Sequence, residues 1–108
     1  MEKAVADKVS PQSKYPKPTK TCYLTFDDGP SSNTEEILEA LEAYDVKATF
    51  FVLGKEDAMS KELLAKIADA GHSIGMHSYS HVYRDIYASK ESFMEDYEKI
   101  REYIRTNA

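Results

Sequence analysis

The sequence predicts an α/β fold in which parallel strands alternate with helices. After residue 21, short β-favouring or apolar runs alternate with segments whose apolar residues recur at helical spacing. The connections between these segments are short, and a strand, helix, strand order implies parallel strands joined by right-handed crossovers. We therefore expect three strand–helix units in one sheet.

Composition and charge restrict the class of protein. The chain has 108 residues and a formal net charge of −5, which fits one soluble domain. No apolar run approaches the roughly 18 residues that a membrane span needs, and the start of the sequence lacks the apolar core of a signal peptide. Acidic residues outnumber basic ones after residue 21, so we expect no nucleic-acid partner. The only cysteine, Cys22, excludes an intrachain disulfide, and we expect its side chain to be buried and inert.

Residues 1–20 differ in composition from the rest of the chain. They hold three of the four prolines, several lysines and almost no large apolar side chains. Such a composition is typical of a flexible tail or linker. Residues 21–108 are predicted to form the folded region.

The first unit begins with a strand from residue 21 to Phe26. The run CYLTF favours β structure, and the DDGP that follows it is typical of a turn. The SSNT segment then offers N-cap residues for a helix. In that helix Ile37, Leu38, Leu41 and Tyr44 recur at helical spacing.

The second and third units follow the same plan. The apolar run from residue 48 to 53 predicts a strand covered on both faces, and Ser60 is the predicted N-cap of a helix that ends at Gly71. Residues 73–76 predict the third strand. Ser89 is the predicted N-cap of a long helix. The apolar stripe of that helix consists of Phe93, Tyr97, Ile100 and Ile104.

Three strands are few for this architecture. A closed α/β barrel uses roughly 200 residues or more, and parallel strands need neighbours at both edges. We therefore expect that the chain is part of a larger domain or that two copies complete each other. A homodimer or an exchange of elements through the open sheet edge follows from the second alternative.

Two polar features lie at the predicted strand ends, where α/β folds bind ligands. Asp27 and Asp28 follow the first strand, and His77 and His81 follow the third. Imidazoles at i and i+4 project to one side of a helical turn, and a carboxylate from another strand end completes a site for a divalent metal. Because side chains alternate along a strand, we expect one aspartate to bind the metal and the other to act as general base. The alternative is that DDGP is only a turn.

Other polar and aromatic residues have weaker indications. We expect His72 to be structural, because its position does not match the spacing of the histidine pair. Tyr79, Tyr83 and Tyr87 repeat every four residues and either stack on sugar rings or pack as ordinary aromatics; Tyr79 is the candidate for substrate binding. The serines at 78 and 80 are expected to form hydrogen bonds that support the histidines.

Two strings of the sequence resemble the first two signature motifs of the polysaccharide deacetylases, the NodB-homology or family-four carbohydrate esterases. They are TFDDGP at residues 25–30 and HSYSH at residues 77–81, and the segments VKATFFV and GHSIG also look like that family. The resemblance implies a distorted (β/α) barrel, of which residues 21–108 are the N-terminal portion. It also implies that Asp27 is the catalytic base and that Asp28, His77 and His81 bind the metal.

The resemblance further implies an activity and a location. The family removes N- or O-acetyl groups from chitin, peptidoglycan or xylan with a divalent metal, usually zinc, for which Co, Ni or Mn can stand in. We therefore expect a polysaccharide or oligosaccharide partner and an extracellular or cell-surface location. The later motifs of the family, which supply a general acid and an acetyl pocket, are not found in these 108 residues. The chain by itself is thus expected to have little activity.

Two other functions remain open on the sequence. One is a truncated, non-catalytic carbohydrate-binding or assembly module that keeps the metal ligands. The other is a non-haem iron oxygenase, which uses the same two-histidine, one-carboxylate ligand set. The second aspartate favours hydrolysis, because an oxygenase does not need that additional base.

Overall fold

The computed structural model describes residues 20–108. The tail predicted for residues 1–20 therefore lies outside the described residues, except for its last one. Seven elements follow one another along the chain: β1 (Thr25–Gly29), α1 (Thr34–Ala43), β2 (Thr49–Val52), α2 (Ala58–Asp69), β3 (Ser73–Met76), α3 (Tyr83–Ile86) and α4 (Lys90–Asn107). Except for the short helix α3, this is the predicted order.

The three strands form one parallel sheet in the order β1-β2-β3. Alternate residues of the sheet, among them Phe26, Phe50 and Ile74, pack on one side against the helices. The buried core is completed by Leu41 of α1, Leu64 and Ile67 of α2, and Ile100 and Tyr103 of α4. The predicted α/β class with parallel strands is confirmed, and the carboxyl ends of all three strands lie at one edge of the sheet.

The first strand begins later than its sequence predicts. Pairing with β2 starts at Thr25, opposite Thr49, and the bond from Thr49 N–H to Leu24 O at 3.0 Å is the last described backbone contact between β2 and the preceding segment. Backbone propensity without a neighbouring strand does not make a strand. As a consequence Cys22 is exposed, so its predicted burial is wrong. The strand instead extends through both aspartates, which the sequence had assigned to a turn.

Helix boundaries follow from their caps. The N-cap of α2 is Asp57, whose carboxylate accepts hydrogen bonds from the backbone N–H and the hydroxyl of Ser60 at 2.9 Å each. The prediction of Ser60 as the cap is therefore wrong by one turn, because Asp57 already occupies the extended cap conformation. The predicted end at Gly71 is confirmed, since that residue has φ of 88°. Ser89 caps α4 as predicted.

The apolar stripe of α4 is only partly buried. Ile100 is in the core and Ile104 packs against it, whereas Phe93 and Tyr97 are exposed. Tyr103, which the stripe omitted, is buried. The second half of α4 belongs to the core cluster, whereas in the first half Phe93 stacks on Tyr87, which is itself exposed.

The described sheet has two outer strands, β1 and β3. The expected dimer or exchange through an open edge stays a prediction. Among residues 20–108, no helix combines the length and the apolar character that crossing a membrane requires.

Candidate metal centre

A β-bulge at the end of β1 sets the direction of the Asp28 side chain. Asp27 pairs with Phe51 and Gly29 pairs with Val52, so Asp28 is an extra residue with no partner in the ladder. It has φ of 72°, in the left-handed region that Asp tolerates better than most residues. On a regular strand Asp28 would point to the helix-covered face, whereas a bulge re-aims the side chain. The bulge thus gives the two adjacent carboxylates different surroundings.

The two candidate histidines lie in a loop and not in a helical turn. Residues 77–82 have no helical structure, and both Ser78 (φ 84°) and His81 (φ 60°) are left-handed. The hydroxyl of Ser78 accepts a hydrogen bond from the backbone N–H of His81 at 2.8 Å, which closes the loop. The sequence predicted that the imidazoles converge because of their helical spacing. In the structure the closed loop, and not a helical turn, brings them together.

The three predicted ligands meet at one point. Asp28 Oδ1 lies 3.0 Å from His77 Nε2 and 3.4 Å from His81 Nε2. Neighbouring donor atoms on one ion are about 3.0–3.4 Å apart when the bonds are near 2.1 Å. The donors therefore fit a first-row divalent ion. The side chains remain partly exposed, at 57% for Asp28, 32% for His77 and 35% for His81, so a further ligand can approach.

Backbone hydrogen bonds fix the three strand ends to one another. Leu53 N–H donates to Gly29 O, and His77 N–H donates to Val52 O, each at 3.0 Å. Gly54 N–H donates to Tyr79 O at 3.0 Å, which attaches the middle of the histidine loop to the segment after β2. The central strand is therefore the common support of the aspartate and the histidine loop.

Asp27 belongs to the same edge of the sheet but not to the ligand cluster. Its register partners, Phe51 and then Gly75 in β3, place it on the face that the helices do not cover. Alternation along β3 directs His77 toward that face as well. Asp27 is exposed. This position agrees with a carboxylate beside the ligands rather than among them.

The two tyrosines nearest the ligands occupy different surroundings. The ring of Tyr79 packs against Gly54 and against Tyr103, and its hydroxyl donates to Glu56. These contacts describe a packing residue, and its role in substrate binding stays a prediction. Tyr83 borders the site, since its hydroxyl oxygen lies 3.2 Å from His81 Nε2 and its ring is exposed.

His72 is structural, as predicted. It is 9% exposed, and its Nδ1 accepts a hydrogen bond from the backbone N–H of Ala48 at 3.1 Å. Burial lowers the pKa of the imidazole from its ordinary 6.5, and the charge of Lys47 adds to that effect. A neutral ring is what an accepting Nδ1 requires. His72 therefore joins the amino ends of β2 and β3, opposite the strand ends that carry the candidate ligands.

Two residues that support the site were not recognised in the sequence. Asp96 of α4 accepts backbone hydrogen bonds from the histidine loop. The signal available in the sequence was the position of Asp96, four residues before the buried Ile100 and so on the same side of the helix. A carboxylate on a side that faces the core requires a hydrogen-bond partner. Gly54 has a packing role, since a Cβ there would lie 2.1 Å from the Tyr79 ring. Nothing in the local sequence indicates that contact.

The comparison with known families shows to which family the chain belongs. A family model described as polysaccharide deacetylase matches residues 14–108. The chain belongs to the polysaccharide deacetylase family. The resemblance inferred from the two motifs is thereby confirmed.

Relatives within the polysaccharide deacetylase family agree in sequence and in fold. A peptidoglycan-N-acetylglucosamine deacetylase of Bacillus cereus is 38% identical over 89 residues, which are 82% of this chain and 33% of that protein. The catalytic domain of a peptidoglycan N-acetylglucosamine deacetylase from Eubacterium rectale superposes with a TM-score of 0.75 at 41% identity, covering 80% of this chain and 39% of that chain. A chitin deacetylase from the fungus Colletotrichum lindemuthianum superposes with a TM-score of 0.70 at 31% identity, covering 78% of this chain and 39% of that chain.

These coverages define the extent of the match. The chain spans about a third of the length of the Bacillus cereus deacetylase. Its three strand–helix units correspond to part of a polysaccharide deacetylase catalytic domain, as in an incomplete (β/α) barrel.

Proposed function

We propose that this chain supplies the metal ligands and the catalytic base of a hydrolase that removes acetyl groups from a polysaccharide. Asp28, His77 and His81 bind a divalent ion, for which zinc is the first candidate, and Asp27 is the base. The observation that carries the proposal is the convergence of three donor atoms, all within 4.8 Å of one another, at the carboxyl edge of the sheet. Membership of the polysaccharide deacetylase family supports it.

The ligand set suits hydrolysis of an acetyl amide. When bound, a divalent ion supplies Lewis acidity toward a carbonyl oxygen and lowers the pKa of water. Two neutral imidazoles and one carboxylate leave such a site positively charged, which favours negative charge on the acetyl oxygen. Asp27 accepts a proton from the attacking water. Water adds to the carbonyl carbon, the carbon–nitrogen bond breaks, and the proton taken from the water passes to the leaving nitrogen, which yields acetate and a free amine.

The substrate is proposed to be a polymer of N-acetylated sugars. The exposed position of the site leaves room for an extended chain that binds across the sheet edge. The relatives from Bacillus cereus and Eubacterium rectale are named for peptidoglycan N-acetylglucosamine, so that sugar is the first candidate, ahead of chitin or xylan. A peptidoglycan substrate places the protein outside the cell or on its surface.

The adjacent aspartates provide a matched pair of variants. Asp27→Asn should keep zinc affinity within a few fold and lower acetate release from acetylated chitooligosaccharides by roughly 10²- to 10⁴-fold, the usual contribution of a general base. Asp28→Asn should lower zinc affinity itself, because a ligand is lost. Isothermal titration and an acetate assay measure the two effects. Measurable acetate release that is equal in the wild-type chain and in Asp27→Asn would refute the catalytic role.

Two further measurements bear on the two other functions. Binding of zinc and of the oligosaccharide without any acetate release fits the non-catalytic carbohydrate-binding module, but it also fits the low activity expected of these 108 residues alone. Oxygen uptake that depends on iron(II) would favour the oxygenase and would replace the hydrolase proposal.

A further inference from the structure

One carboxylate outside the ligand cluster holds the loop that carries both histidines. Asp96 Oδ2 accepts a hydrogen bond from the backbone N–H of Tyr79 at 2.8 Å. Its Oδ1 accepts hydrogen bonds from the backbone N–H and from the hydroxyl of Ser80, each at 3.1 Å. Tyr79 and Ser80 lie between the two imidazoles in sequence, so Asp96 binds the segment that joins them.

The loop needs an external support. Ser78 and His81 both have left-handed φ values, of 84° and 60°, which are unfavourable for residues other than glycine. Such conformations persist only where surrounding contacts outweigh their cost. Hydrogen bonds from backbone N–H groups to a carboxylate are stronger than those to neutral acceptors. The Asp96 carboxylate is therefore well suited to hold this strained loop.

The support is mounted on a rigid element. Asp96 lies on α4, one turn before Ile100 and two turns before Tyr103, both of which are buried in the core. The hydroxyl of Tyr103 also donates to the carbonyl of Lys55, in the segment after β2. The position of the carboxylate is thus fixed relative to the sheet, so the loop cannot shift without breaking its bonds to Asp96.

We propose that Asp96 is a positioning residue that sets the distance between the His77 and His81 imidazoles. The proposal rests on the proposed function, because the distance matters only if both histidines bind one ion. Loss of an outer hydrogen-bond partner of metal ligands typically lowers metal affinity by about 10- to 100-fold. Asp96 does not contact the imidazoles directly; it acts through the backbone N–H groups of the residues between them.

The experiment compares Asp96→Asn with Glu95→Gln in the 108-residue chain. Both variants remove one negative charge from neighbouring positions of α4, but only Asp96 is bonded to the loop, whereas Glu95 is exposed. An amide at 96 keeps one acceptor oxygen and turns a donor toward one of the loop N–H groups. Binding of Co²⁺ is followed by its visible absorption, which reports both affinity and coordination geometry.

We expect Asp96→Asn to bind Co²⁺ roughly 10-fold or more weakly than the wild type and with an altered spectrum. Glu95→Gln should bind within about twofold, and Asp96→Glu should recover part of the loss. Circular dichroism establishes that each variant is folded. If Asp96→Asn does not fold, Ser80→Ala should still weaken binding by a few fold, because it removes the hydroxyl bond to Asp96 and the bond that the hydroxyl accepts from Val82 N–H. Unchanged affinity and spectrum in a folded Asp96→Asn chain would overturn the proposal.

A second measurement does not depend on metal or activity. Hydrogen exchange in the metal-free chain should show slow exchange of the Tyr79 and Ser80 amides in the wild type and in Glu95→Gln, and at least tenfold faster exchange in Asp96→Asn. If the wild type binds no metal, the proposed function fails, while amide protection still tests whether Asp96 holds the loop. Equal exchange in all three chains would refute the positioning role.

Discussion

The Asp28 carboxylate meets the His77 imidazole across the end of the central strand. Their Oδ1 and Nε2 atoms are 3.0 Å apart, although β1 and β3 are not neighbours in the sheet. Strands separated by one other strand are about 10 Å apart, twice the spacing of adjacent strands. Both side chains must therefore reach over β2, and the bulge at Asp28 and the loop after β3 make this reach feasible.

Zinc should stabilise the folded chain through this contact. At a free concentration of 100 times the dissociation constant, binding to the folded state alone raises the free energy of unfolding by about 2.7 kcal/mol. Urea unfolding with zinc and with a chelator measures the gain. Asp28→Asn should lose most of it, whereas Glu39→Gln, an exposed carboxylate on α1, should keep it. An equal gain in both variants would contradict the assignment of Asp28 as a ligand.

Gly54→Ala should destabilise the chain and disturb the histidine loop. A Cβ at this position would lie 2.1 Å from the Tyr79 ring, so the ring or the backbone has to move. Overpacking of this kind costs about 1–3 kcal/mol. Gly29→Ala is the control, since the nearest atoms to its Cβ are 3.8 Å away. Urea unfolding should show a clear loss of stability for Gly54→Ala only. Equal unfolding midpoints for the two variants would mean that the Tyr79 ring can move aside without cost.

His72 should make the stability depend on pH. Burial lowers the pKa of the folded-state imidazole from the ordinary 6.5, with Lys47 as a second cause. The unfolded chain therefore takes up a proton at a higher pH than the folded chain. The contribution of the neutral His72 ring to the free energy of unfolding is complete above about pH 6.5. It is lost as the pH falls from there toward the folded-state pKa.

The variant His72→Asn tests this dependence. Its amide oxygen can accept the bond from Ala48 N–H without titrating. Urea midpoints measured with chelator between about pH 7.5 and 5.5 should fall less steeply for the variant than for the wild type. The other two histidines are present in both chains, so their effect cancels. Parallel curves would show that His72 does not titrate differently on folding.

The first turn of α4 should depend on its serine cap. Ser89 Oγ accepts a hydrogen bond from the backbone N–H of Ser92 at 3.0 Å. Ser89→Ala should lower the free energy of unfolding by about 1 kcal/mol, whereas Ser89→Asp should keep the cap and the stability. Thermal unfolding measures the difference. An alanine variant as stable as the wild type would indicate that α4 is held by its buried second half alone.

Much of the site was predictable because its signals are local. The caps at Ser89 and Gly71 depend on residues within one turn of the helix end, and both predictions were confirmed. The histidine pair and the adjacent aspartates were recognised from their types and spacing. One local prediction failed, since Asp57, three residues before Ser60, is the cap of α2. The other failures depend on residues remote in sequence: Cys22 lay outside the described strand pairing, and two aromatic residues of α4 were left exposed.

The sequence by itself determined the order of the strand–helix units and the chemical identity of the donors, because hydrophobic periodicity and side-chain type are properties of short segments. Only the tertiary structure decided how these donors meet. The bulge at Asp28 depends on its pairing with β2, and the path of the histidine loop depends on hydrogen bonds to Gly54 and Asp96. These contacts join residues that are distant along the chain, so no local pattern encodes them.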